Sequence, residues 1–154
     1  MPTLTLGADH SGKLVVNLYV GVGLAKSEIL RALDMPIPVA LPLLALVDTG
    51  ASRTVVEEDY LKILGLLPLT DEVVHTASTG ASPLKLNVYA IELFLAEVVT
   101  GTLARNLPGF AAADLSGLGV QMLLNRDVLS RVMLIYNGPD RVFSLEFVEE
   151  AGVA

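Results

Sequence analysis

The chain contains no cysteine, no tryptophan and only two histidines, His10 and His75. Without cysteine there can be no disulfide, no thiolate nucleophile and no sulfur ligand. Two imidazoles are too few for an ordinary transition-metal site, so neither a metal nor another cofactor is expected. Positive charge is also scarce. Lys and Arg number 10 against 17 Asp and Glu, a formal net charge of −7. Phosphates would be repelled over most of such a surface, which argues against a nucleic-acid partner. No apolar run is long enough to cross a bilayer. The longest, "PIPVALPLLALV" (36–47), is broken by three prolines. The opening "MPTLTLGADHSG" has neither a basic start nor an apolar signal core. Together these absences lead to the expectation of an acidic, soluble, cytoplasmic protein with no membrane partner.

What is present is aliphatic. Of the 154 residues, 53% are hydrophobic and only 5% aromatic, so a core must be built from Val, Leu, Ile and Ala. The length suits one domain spanning 1–154, and the high apolar fraction points to surface buried against a second chain. Frequent Pro and Gly divide the sequence into short segments, which favours a mostly β protein. "KLVVNLYVGV" (13–22) reads as a strand, and "AKSEILRALDM" as a short helix or ordered loop. "PIPVALPLLALV" reads as extended. "TVVEEDYLKILG" reads as a strand end leading into a helix, with Thr54 and Glu57 at capping-box spacing and Gly65 as the stop. In "SPLKLNVYAIELFLAEV" the apolar alternation changes phase near Ala90, as at a β-bulge. Residues 100–119, rich in Gly and Ala, read as loop. "NRDVLSR" reads as one or two helical turns, and "VMLIYNGPDRVFSLEF" as a hairpin about Gly138-Pro139.

The segment "LLALVDTGAS" (43–52) sets a carboxylate, Asp48, at the end of an apolar strand, where desolvation penalises charge. Asp48 could simply open an Asx turn after the strand. Alternatively, two such loops could meet face to face. Two carboxylates that close cannot both ionise, so they hold one proton between them, and the pair can act as base towards water and acid towards a carbonyl. Asp-Thr-Gly alone occurs by chance in roughly a few per cent of chains this long, and leaves both readings open. The only comparable segment, "ADLSG" around Asp114, has an extra residue between the acid and Ser-Gly and reads as a loop acid.

The wider context, "LALVDTGASRTVVEEDYL", resembles the active-site segment of the retropepsin-like aspartic proteases. "VVHTASTGASPL" lies where that family has its substrate-covering flap, and "MLLNRDVLSRVMLIYNG" is similar to its hydrophobic Gly-Arg-(Asn/Asp) segment and following helix. The resemblance is strongest over 43–60 and 122–137. It implies a retropepsin-like acid protease fold, a closed β-barrel-like domain with a flap hairpin and a short C-terminal helix. It further implies a homodimeric aspartic endopeptidase, an enzyme that hydrolyses a peptide or protein substrate with water held by an Asp48–Asp48′ dyad. Thr49 would brace the loop against its twin in the second subunit, and Gly50 would present its backbone to substrate. Thr79 and Gly80 would lie near the flap tip. Arg126 would be structural, anchoring the helix beneath the loop. Three features depart from the pattern. Asn125 stands where the family has glycine, Ser52 stands where an acid often pairs with the arginine, and 22–35 is an insertion before the catalytic strand. They keep open an alternative, a catalytically silent dimer acting as a peptide- or protein-binding module.

Overall fold

Apolar and polar side chains alternate clearly in "TLTLG" (3–7) and "VFSLEF" (142–147), whereas stretches such as "LPLLALV" (41–47) are apolar on both faces. The computed structural model describes residues 3–74, 84–95, 102–112 and 114–147. The strands are β1 (Thr3–Gly7), β2 (Val15–Val22), β3 (Leu41–Val47), β4 (Val55–Glu57), β5 (Thr70–Val74), β6 (Leu84–Leu95), β7 (Thr102–Ala112), β8 (Met122–Leu124), β9 (Val132–Asn137) and β10 (Val142–Phe147). Three short helices, α1 (Leu24–Ala32), α2 (Glu58–Ile63) and α3 (Arg126–Leu129), and a 3₁₀ turn at Ser116–Leu118 complete the described elements. The protein is mostly β, as its punctuation by Pro and Gly leads one to expect.

Six strands close into a barrel in the order β2-β3-β8-β4-β7-β6, sealed by pairing of β6 with β2. Inside it lie Val16, Leu18 and Val20 of β2, Leu43 and Ala45 of β3, Val56 of β4, and Tyr89, Ile91, Leu93 and Leu95 of β6, all buried. A second sheet, ordered β1-β10-β9, packs Phe143 and Leu145 onto the same core. The hairpin of β9 and β10 is antiparallel, from Val142↔Asn137 to Phe147↔Val132, as expected about Gly138-Pro139.

β6 has two neighbours in succession along one edge. Leu84–Val88 pairs with β5, and Ile91–Leu95 pairs with β2. That exchange of partners underlies the phase change read in its sequence, because burial passes from Val88 to the opposite parity at Tyr89. The ladder irregularities against β7 come slightly later than Ala90, between Ile91 and Leu93 and between Leu93 and Phe94. β5 and β6 are therefore the two legs of a hairpin converging on 75–83. His75, Thr79 and Gly80 lie outside the described residues.

Two sequence expectations are corrected. The segment 100–119, expected to be loop, contains the eleven-residue strand β7. Its small residues serve packing. A Cβ at Gly109 would come within 2.8 Å of Ile91 Cδ1, and Ala104 and Ala111 are buried. Pro108 is also compatible with the sheet. Its register partner Ala90 accepts from the Gly23 N–H at 3.2 Å, so the Ala90 carbonyl points away from β7. Pro108 is thus at a non-hydrogen-bonded position, where a missing N–H costs no ladder bond. The second correction concerns α2. Its N-cap is Glu57, with no side-chain cap, because the Thr54 hydroxyl is engaged elsewhere. The stop at Gly65 holds, with φ +69° and its N–H donated to the Lys62 carbonyl.

The segment 22–35 contains α1, which joins β2 to β3. Gly23 supplies no side-chain cap. Instead Asn106 of β7 accepts the Ala25 N–H at 3.1 Å and ties the helix to the barrel wall.

Two stability outcomes follow from this packing. Leu93 is fully buried, so Leu93→Ala should cost about 2–5 kcal/mol in urea denaturation. Glu92, half-buried on β6, is held above the usual carboxylate range by burial, which outweighs the opposing fields of Arg105 and Arg31. A raised carboxyl pKa adds stability below the ordinary glutamate range, and that stability is lost as pH rises through the folded-state value. Glu92→Gln should therefore raise the melting temperature slightly at pH 7, and the gain should vanish near pH 3.

Candidate active site

The geometry around Asp48 begins with strand order. β3 and β4 follow one another in sequence, yet β8 lies between them, parallel to β3 (Ala45↔Met122 to Val47↔Leu124) and antiparallel to β4 (Val55↔Leu123, Val56↔Met122). The connection 48–54 must cross the end of β8. Its backbone groups, lifted out of the ladder, need other partners. Residues directly after β8 supply them.

The Asp48 N–H donates to the Leu124 carbonyl at 3.0 Å. The Ala51 carbonyl accepts from both the Arg126 N–H (3.2 Å) and the Arg126 guanidinium Nε (3.1 Å). Beneath the far arm of the loop, Thr54 and Asn125 are fully buried. Asp127 takes the Thr54 N–H on Oδ2 at 2.8 Å and the Thr54 hydroxyl on Oδ1 at 2.6 Å. That hydroxyl in turn accepts the Asn125 N–H at 3.3 Å, and the Asn125 side-chain Nδ2 donates to the Arg53 carbonyl. A partly buried, charged acceptor thus terminates a short relay of donors that runs through two fully buried residues, where such bonds are stronger than at the open surface.

On this platform Asp48 is half-buried, while Thr49 and Gly50 are exposed. Asp48 Oδ1 accepts the Gly50 N–H at 2.8 Å, the Asx turn that a loop acid favours. A Cβ on Gly50 would lie 3.0 Å from that oxygen, so close approach is what glycine provides here. Among the described residues no hydrogen bond engages the second Asp48 oxygen or the Thr49 hydroxyl. The turn therefore leaves one carboxylate oxygen available for other chemistry.

The structure brings Asp48, Thr49, Gly50 and Arg126 together at one end of the barrel. Thr79 and Gly80 are outside the described residues. Three residues were not singled out for the site by sequence: Thr54 and Glu57, assigned together to a capping box, and Asp127 beside Arg126. Glu57 Oε1 accepts the Leu115 N–H at 3.0 Å and so fixes the 114–119 turn. The signal available for Thr54 was its place inside an otherwise apolar "TVV" that follows the loop. Asp114 is an exposed turn acid, and hydrogen bonds from the Ser116 side chain and N–H hold its carboxyl below the usual range. Among the described residues there is no group of three His, Cys, Asp or Glu placed to hold a metal, and no helix is long and apolar enough to cross a membrane.

The relay has a measurable consequence. Thr54→Val keeps the shape of the side chain but removes the hydroxyl bond to Asp127 Oδ1, which keeps the Val128 N–H, and strands the buried Asn125 N–H. It should lower stability by about 1–3 kcal/mol, seen as an earlier urea midpoint with an unchanged m-value.

No protein-family model and no curated protein matches the sequence. Among solved structures, the crystal structure of a retropepsin-like aspartic protease from Rickettsia conorii is similar, with a TM-score of 0.57 at 17% identity over 94% of this chain and 90% of that one. At that identity the likeness concerns the path of the backbone. The closed barrel, the strand wedged beneath the Asp48 loop and the short helix behind it make up a retropepsin-like acid protease fold.

Proposed function

We propose that the chain, as one domain over 1–154, is an aspartic endopeptidase that works as a homodimer, with Asp48 and Asp48 of the partner subunit forming the catalytic dyad. The observation that carries this reading is the placement of Asp48. Its half-buried carboxylate stands at the end of an apolar strand, on a loop braced from below by buried hydrogen bonds, within a retropepsin-like fold. The chain has one Asp-Thr-Gly, so a second carboxylate requires a second copy related by a two-fold axis. The unpartnered Thr49 hydroxyl is available to bond across that axis.

In this reading the two carboxylates share one proton. The ionised oxygen takes a proton from water as the water oxygen attacks the carbonyl carbon of the scissile peptide. The protonated carboxyl gives its proton to the carbonyl oxygen. Collapse of the tetrahedral species breaks the C–N bond as the leaving nitrogen is protonated. No metal, cofactor or covalent intermediate is needed. The β5–β6 hairpin, with Thr79 and Gly80 near its tip, would cover the bound peptide, and Arg126 would keep its structural role through the Ala51 carbonyl.

The test is cleavage of a peptide library between pH 3 and 8 by wild type and Asp48→Asn, with the mass measured by sedimentation. Wild type should sediment at about twice 16.3 kDa and cleave. Asp48→Asn should dimerise but lose activity by at least about 10²–10⁴-fold. Because the working dyad holds one proton, the rate should fall towards pH 8, where that proton is lost. A rate still rising through pH 8, or an Asp48→Asn variant as active as wild type, would overturn the assignment. A wild-type dimer that cleaves nothing would leave the peptide-binding module as the better reading.

A further inference from the structure

We propose that Asn125 is a positioning residue for Asp48, its side-chain N–H fixing the Arg53 carbonyl and with it the path of the loop that carries the carboxylate. The catalytic meaning of this role rests on the function proposed above; the structural role does not.

Three observations lead to it. First, backbone conformation does not explain the residue. Asn125 has φ −109° and ψ −172°, extended values that any amino acid adopts, so neither glycine nor a left-handed residue is required there. Second, the side chain is fully buried, and only its donor half is used. Nδ2 holds the Arg53 carbonyl, while Oδ1 is without a hydrogen-bond partner among the described residues. A buried orphan acceptor is destabilising, so an apolar residue would be preferred if filling space were the only requirement. Third, Asn125 bonds to three separate elements. Its N–H bonds Thr54 Oγ1, and its carbonyl accepts the Val128 and Leu129 N–H groups at 3.1 and 3.0 Å, starting α3. One residue thus joins the end of β8, the first turn of α3 and the far arm of the Asp48 loop.

The other clasps do not make it redundant. The Arg126 guanidinium also reaches the loop at Ala51, but it is exposed, and water competes for both partners. Asp127 holds Thr54, the residue after Arg53, and leaves the Arg53 carbonyl itself unserved. The Asn125 end of its bond to that carbonyl is fully buried although Arg53 is exposed, so water competes for it less than for the guanidinium bond, and it resists displacement of the loop more strongly.

The experiment compares full-length wild type, Asn125→Leu, Asn125→Asp and Asp48→Asn. Leucine has nearly the same shape but no donor. Amide hydrogen exchange is read at Gly50–Thr54 and at barrel residues Val20 and Leu93, and kcat and KM are read on a peptide that wild type cleaves. Asn125→Leu should speed loop exchange about tenfold or more with barrel protection unchanged. It should lower kcat by about 10- to 100-fold, the scale of a small misplacement of a catalytic group, with KM within about twofold. Asn125→Asp should behave like the leucine variant at pH 7. At acid pH its buried carboxyl is protonated and can donate to the Arg53 carbonyl, so it should recover while leucine does not.

Wild-type loop exchange and kcat in Asn125→Leu would overturn the proposal. So would equal loss of protection in loop and barrel, the mark of an ordinary core residue. If leucine prevents folding, recovery of Asn125→Asp on acidification supports the role and its absence refutes it. If wild type cleaves nothing, the protease reading fails on its own, and the exchange comparison still decides the role of Asn125.

Discussion

The insertion of β8 between β3 and β4 is the constraint on which the rest depends. A connection between two strands separated by a third cannot be a tight hairpin. It must climb over the end of the intervening strand, and its amides leave the ladder as it does. Burying the far arm of that crossing next to Leu124 and Val128 exposes it to the full penalty for unpaired polar groups. Thr54, Asn125 and Asp127 answer that penalty by bonding one another and the loop backbone. On the loop above them, Asp48 Oδ1 is held by the Gly50 N–H and the Asp48 N–H by the Leu124 carbonyl.

The long strand β6 performs a second mechanical task. One stretch of it belongs to the closed barrel and the other to the hairpin leg facing β5, with the change at Val88–Tyr89. The barrel portion is anchored by Ile91, Leu93 and Leu95, all deeply buried. The hairpin portion has a pairing partner only on its own small ladder and a surface ion pair, Lys85–Asp71 at 3.0 Å, worth little in water. Burial is thus graded along a single strand, high where the core is closed and lower where β6 faces β5.

Much of this was legible in the residues. The β-branched run "KLVVNLYVGV" identified β2, the flanks of Gly138-Pro139 identified the closing hairpin, and "NRDVLSR", read as one or two helical turns, contains the short α3. These signals are local, and local chemistry decides them. β7 was missed because Gly109 and Pro108, turn-formers in most settings, are tolerated here by a tertiary arrangement: the close approach of Ile91 and the carbonyl of Ala90 turned away. Thr54 was assigned to a helix cap because Glu57 stands three residues on. The competing acceptor, Asp127, is more than seventy residues away in sequence, and no spacing rule reports it. Asp48 was visible as an acid in an apolar setting, whereas the platform beneath it is a product of strand order, which periodicity does not encode.

The position of α1 sets it apart from the carboxylate. The helix joins the end of β2 to the start of β3, and Asp48 lies past the opposite end of β3, seven residues and roughly 20 Å away. Its docking uses the Asn106 side chain, the buried Leu30 and Ser27, and Gly23, where a Cβ would meet Asn106 at 2.9 Å. The whole length of β3 therefore separates the helix from the carboxylate, and a rearrangement of α1 would reach Asp48 only through the hydrogen-bonded wall of the barrel.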